Sequence, residues 1–163
     1  MATIKMVLDD ALDYDFELIA IHCSFEDYKM AYHLNAALGL RLKREVRDID
    51  FEMGNFFALY SRFIFENPRD YVTYTLISNK CKAKQINSTS TSGLFPDFSE
   101  EPYKYVNLLP ELKTADYLFK IEAAQTSILK KSLLLSLNKI PQLVTAYTVP
   151  VNTLKFKKNL IFE

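Results

Sequence analysis

The chain has 163 residues, 49% of them apolar and 25% charged, with 20 Lys+Arg against 20 Asp+Glu. A chain of this length buries enough surface to fold without disulfides or a metal, and its zero formal charge argues against a strongly basic nucleic-acid module. Only three glycines occur, all isolated (Gly39, Gly54, Gly93), so no glycine-rich phosphate loop, dinucleotide fingerprint or GxSxG elbow can be built.

Residues 1–70 carry 8 basic and 13 acidic side chains, net −5, and residues 71–163 carry 12 and 7, net +5. No adequate linker separates these halves, so one domain spanning 1–163 is predicted, its two parts attracting each other. Cys23 and Cys81 are the only cysteines, too few and too far apart for a disulfide framework. The first twenty residues are acidic and unlike a signal peptide. No apolar run reaches the 18 or so residues a membrane span needs. A cytoplasmic protein with free thiols, no membrane contact and no cofactor is expected.

Residues 16–22 read as a mostly buried strand. Ser24 then offers an N-cap, with Asp27 three positions on, for a helix over about 25–38. Gly39 stands where a left-handed C′ residue belongs. The helix's inner stripe is predicted as Tyr28, Ala31, Tyr32, Asn35 and Leu38. A half-buried edge strand follows, with Leu40, Leu42 and Val46 on one face and charges on the other.

Residues 56–65 and 71–79 are the strongest strand patterns and predict one long hairpin, with Pro68 at the second position of its turn. Neither strand alternates cleanly. Phe57, Leu59, Phe63 and Phe65 are therefore expected to share one apolar face, and two helices can cover only one side of the sheet. That face is the predicted interaction surface, covered by residues 84–108, a second copy of the chain, or a partner. Residues 84–104, with the run Ser88–Ser92, Gly93, Pro96 and Pro102, form the low-complexity loop, expected to be mobile.

Pro110 opens a short helical turn. Residues 117–122 alternate as a strand, and 124–139 form a second helix with Leu129, Leu133, Leu137 and Ile140 inward, stopped by Pro141. A last strand covers 142–149, with Leu143, Thr145, Tyr147 and Val149 on one face. The order predicts an α+β fold: a mostly antiparallel sheet of about six strands with two helices packed on one face.

Residues 109–117, Leu-Pro-Glu-Leu-Lys-Thr-Ala-Asp-Tyr, resemble the signature of the IPExxxVDY family of small bacterial proteins, found chiefly in Bacteroidota. Leu109 and Ala115 depart from the usual Ile and Val, while Pro110, Glu111, Asp116 and Tyr117 match. Asp27-Tyr28, the segment 76–81 and the segment 159–162 look similar to that family too, so the resemblance spans nearly the whole chain. That family has no established activity, so the resemblance assigns no function.

The candidate residues have mainly structural readings. His22, Cys23 and Ser24 cannot act as a triad, because successive strand side chains point to opposite faces. His22 and His33 lack the partners of a metal site, and none is expected. Asn35 on the inner helical face should pin backbone, or else form the polar floor of a pocket with His22. Glu111 should sit at the positive end of its turn, and Asp116 should cap or pair with a base such as Arg44. Lys155, Lys157 and Lys158, interleaved with Phe156, offer a weak RNA contact. No catalytic residues are assigned. The expectation is a non-enzymatic adaptor or scaffold acting on a protein partner or on itself as a homodimer. An RNA-associated accessory protein is the first alternative, and an enzyme or binder of a small metabolite the second.

Overall fold

The structure is a computed structural model, and it describes residues 15–86, 103–123 and 127–162. Ten strands and two helices are present among them. Most of the 84–104 segment falls outside the described residues, as does the Leu129 side chain.

The chain begins β1 (Glu17–Cys23), α1 (Asp27–Leu38), β2 (Lys43–Arg44), β3 (Ile49–Met53), β4 (Phe56–Tyr60) and β5 (Arg62–Asn67). It continues β6 (Val72–Ser78), β7 (Lys80–Gln85), β8 (Tyr103–Asn107), β9 (Tyr117–Ala123), α2 (Ser127–Asn138) and β10 (Leu143–Val149). The strands form two antiparallel sheets. The larger has six, in the order β10-β1-β9-β6-β5-β2, and the smaller has four, in the order β3-β4-β7-β8. The predicted α+β class and six-stranded sheet are thus present, and the second sheet is the addition.

Two strand–helix units of matched length build the larger sheet. Each has a seven-residue strand (β1, β9) and a twelve-residue helix (α1, α2). β10 runs parallel to β9 with β1 between them, and β2 runs parallel to β1 from the far edge. Such crossovers are right-handed almost without exception. Because β1 and β9 point in opposite directions, both helices come to the same side. Met30, Ala31 and Leu34 of α1 and Leu133 and Leu137 of α2 accordingly share one core with Ile19, Ile21, Leu76, Phe119 and Ile121.

Alternate residues of the same strands, Leu18, Ala20, Ile77 and Leu118, face a second core. There they meet Ala58, Tyr60 and Ala83 of the smaller sheet and Val151, Leu154 and Leu160 of the C-terminal segment. The second face of the large sheet, expected to need a loop, a partner or a second copy, is covered by four strands and the tail of the same chain.

Several expectations are corrected. The predicted strand 56–65 breaks at Ser61: β4 belongs to the smaller sheet and β5 to the larger. Phe57, Leu59, Phe63 and Phe65 therefore do not share a face. Phe63 is buried in the first core and Phe65 packs against it, whereas Leu59 is 47% exposed on the smaller sheet. The hairpin itself is β5–β6. Its turn follows Asn67, whose Oδ1 accepts from Arg69 N at 3.1 Å and whose Nδ2 donates to Asp70 at 2.8 Å.

Ser24 does not cap α1; Glu26 occupies that position with no side-chain bond to the helix. Tyr28 and Tyr32 are exposed, and Met30 and Leu34 are buried with Ala31, because the helix starts later and is rotated from the predicted stripe. Gly39 does take the left-handed conformation, at φ +65°. Val46 is fully exposed, since the edge strand β2 ends at Arg44. β10 carries an irregularity opposite His22 and Cys23, so Leu143 and Ala146 face the first core and the predicted alternation fails.

Candidate functional site

Pro110, Glu111, Asp116 and Tyr117 sit at the joint between the two sheets. Pro110 opens a 3-10 turn, Pro110–Leu112, after the buried Leu109. Glu111 reaches the C-terminal segment: its Oε1 accepts from Lys155 N at 2.6 Å and from Phe156 N at 2.8 Å. The tail proposed for RNA is thereby held by its own backbone, with Leu160 buried beneath it. Tyr117 is buried and donates to the Phe25 carbonyl at 2.5 Å. Its phenol is pushed well above the ordinary range by burial and by the thiol and carboxylates nearby.

Asp116 accepts from Cys23 N at 3.0 Å and pairs with Lys80 at 2.7 Å. The expected partner Arg44 instead pairs with Asp48 at 2.6 Å and with Asp27 at 3.4 Å. Arg44 follows α1 in sequence and stays beside its first turn, while the seam between the sheets brings Lys80 to Asp116.

Asn79 organises this seam, and sequence reasoning missed it. It is fully buried, at the corner where β6 leaves the larger sheet and β7 enters the smaller. Its Nδ2 donates to the carbonyls of Leu112 (2.8 Å) and Ala115 (2.9 Å), and its Oδ1 accepts from Leu109 N (2.9 Å). Its own backbone bonds Asp116 O and Leu108 N. Every polar group of this buried residue is satisfied, as burial requires. The available signal was an asparagine interrupting a strand-rich run, where that residue type is depleted.

A cavity of about 410 Å³ opens at the seam, lined by Cys23, Glu26, Ser61, Ser78, Lys80 and Asp116 among others. Lys80 and Asp116 already neutralise each other within it. Burial raises the Cys23 thiol above its ordinary value, outweighing the lowering bond from Phe25, and Asp116 raises it further. A thiol held in its protonated form is a poor nucleophile.

The suggested His22–Asn35 pocket is not formed. His22 stacks on Tyr147 with Nε2 3.2 Å from its hydroxyl, while Asn35 clasps Leu42, donating to its carbonyl (3.2 Å) and accepting from its N–H (2.8 Å). Asn35 thus pins backbone. His33 stacks on Phe25. Among the described residues, no group of three His, Cys, Asp or Glu is placed to hold a metal ion. No helix among them is long and apolar enough to cross a membrane.

The outer face of the smaller sheet is a different surface. Ala58, Tyr60 and Ala83 point into the second core. The alternate residues therefore point away from it. Register places Glu52, Phe57, Lys84 and Tyr103 in one row across all four strands. Asp50 pairs with Leu59, and Lys82 with Tyr105, in the neighbouring row. Leu59, Tyr103 and Tyr105 are 47%, 43% and 69% exposed. Lys82 Nζ lies 3.5 Å from the Tyr103 ring centroid, and Tyr103 meets Tyr105 edge-on at 5.8 Å. Of the predicted interaction residues, Phe57 and Leu59 belong to this face. Lys84 and Tyr103 were hidden by the assignment of 84–104 to a loop, and Lys82 and Tyr105 beside it were given no element, although Lys80, Lys82 and Lys84 alternate with small residues at strand period.

No protein-family model matches the chain, and neither a curated protein nor a solved structure matches it.

Proposed function

We propose that this is a non-enzymatic binding protein whose working surface is the outer face of the four-stranded sheet. One observation carries the reading: Leu59 on β4 and the touching pair Tyr103 and Tyr105 on β8 are large and exposed on one side of a sheet whose opposite face is core, with Lys82 and Lys84 of β7 between them. Solvated antiparallel faces are ordinarily polar, and exposed apolar clusters rimmed by charge mark interaction sites. The apolar face of the larger sheet, the first expectation for an adaptor, is covered by the chain itself and is not the surface proposed.

The likeness to the IPExxxVDY family is part of the same proposal. It is supported by the structural use of Glu111, Asp116 and Tyr117, each bonded to a distant segment. The unpaired thiols Cys23 and Cys81 support a reducing, cytoplasmic setting.

The test compares the wild-type chain with the double variant Leu59→Ser, Tyr105→Ser as baits in cells that make the protein. Both side chains are solvent-facing, so the variant should keep its melting temperature. It should lose the species that co-purify with the wild type. An unchanged set of co-purifying species would overturn the reading.

A further inference from the structure

We infer that the ligand of this face is a single-stranded polynucleotide lying along β7 and β8, an inference that rests on the face being the working surface. The chain's net charge is zero, but electrostatic recognition depends on where charge is placed. Lys82 and Lys84 stand two residues apart on one strand, about 6–7 Å by strand geometry. Directly opposite them on β8 are Tyr105 and Tyr103. A column of two cations on β7 therefore lies beside a column of two exposed rings on β8.

That pairing of side chains suits a ligand with both phosphates and flat apolar faces. Bases stack on aromatic rings with little regard to sequence, while lysines follow the backbone. A protein partner fits less well, because the centre of a protein interface is depleted in charge and in Lys particularly. A duplex fits less well too, since its bases are already stacked on one another. Tyr105 has the more open ring. The Tyr103 ring is covered by the Lys82 ammonium at 3.5 Å, which a phosphate would draw away as a base takes its place. Asp50 and Glu52 on β3 bound the platform and steer a polyanion toward β7 and β8.

The experiment is a fluorescence-anisotropy titration of the full chain against labelled twelve-residue oligouridylate, oligodeoxythymidylate and a matched duplex, across a series of salt concentrations. Both single strands should bind more tightly than the duplex, and a preference between them would report a contact to the 2′-hydroxyl. Tyr105→Ala should weaken binding roughly five- to hundredfold. Lys82→Gln with Lys84→Gln should weaken it and flatten the logarithmic salt slope by about 1.4, for two phosphates at about 0.7 each. Lys155→Gln, on the folded tail, should leave the slope unchanged. The inference is overturned if the wild type fails to bind either single strand at low salt, if the duplex binds as well, or if Lys155→Gln matches the β7 variant. If no oligonucleotide binds while Leu59→Ser, Tyr105→Ser still loses a co-purifying protein, the polynucleotide is wrong and the working surface stands.

Discussion

Asn35 and Asn138 do the same work at opposite ends of the six-stranded sheet. Each lies in the last turn of its helix and uses its amide to hold both backbone groups of one edge residue. Asn35 holds Leu42, just before β2, and Asn138 holds Ala146 of β10, donating at 3.1 Å and accepting at 3.0 Å. Open edges invite pairing with another chain. β10 is long, uncharged and at an edge, and the amide occupies the N–H and C=O of Ala146, at the middle of that edge. Asn35→Ala and Asn138→Ala should each cost about 1–3 kcal/mol, at roughly 2–4 °C of melting temperature per kcal/mol for this size. Asn138→Ala should in addition show concentration-dependent self-association in light scattering. A variant that stays monomeric at millimolar concentration would refute the edge-guarding role.

Asn79→Ala should be among the most damaging single changes. It removes the donor to the Leu112 and Ala115 carbonyls and the acceptor of Leu109 N, all at the seam. Each stranded group costs about 1–3 kcal/mol, against a total stability of about 5–15 kcal/mol for an ordinary domain. Chemical denaturation should therefore show a loss above about 3 kcal/mol, or no folded protein. A loss below 1 kcal/mol would contradict the joint described above.

Asp116 separates a structural role from a site by a graded pair of variants. Asp116→Asn can still accept from Cys23 N and loses only the Lys80 pair, which is partly exposed and worth about 0–1 kcal/mol. Asp116→Ala loses both and should lower the melting temperature by several degrees, in line with about 1–3 kcal/mol. Equal melting temperatures for the two variants, with function lost in both, would make Asp116 part of a ligand site.

Stability should fall at alkaline pH. Burial raises the Cys23 and Cys81 thiols above their ordinary 9.0, and the Tyr60, Tyr74 and Tyr117 phenols above 10.0. Well below pH 9 folded and unfolded chains both hold these protons, and pH has little effect through them. Above it the unfolded chain ionises first and is favoured. Denaturation midpoints should decline above about pH 9, and more steeply above 10. Midpoints that are flat to pH 11 would show that these groups ionise freely in the folded state.

Local signals were legible in the residues wherever neighbours in sequence decide the outcome. Gly39 ends α1 because its left-handed φ suits glycine, Pro68 sets the β5–β6 turn, and Pro110 starts a turn where a missing N–H is harmless. Leu133, Leu137 and Ile140 fall inward at helical spacing as expected, and Asn35 pins backbone seven residues away. Residues 117–122 are also the strand they were read as, β9, though Lys120 is buried with its apolar neighbours.

The rest was decided by contacts distant in sequence. Nothing local distinguishes Ser61 from a residue inside a continuous strand. The break there arises because β4 pairs with β3 and β7, and β5 with β6 and β2. That single change of sheet moves Phe57 and Leu59 away from Phe63 and Phe65 and turns a presumed apolar face into two surfaces. Asp116 lies 36 residues from Lys80 and 93 from Cys23, and Glu111 44 from Lys155. The residue types announced that these carboxylates would need donors, because burying part of an unpaired charge is costly. Only the packing of one sheet on the other could decide which donors arrived.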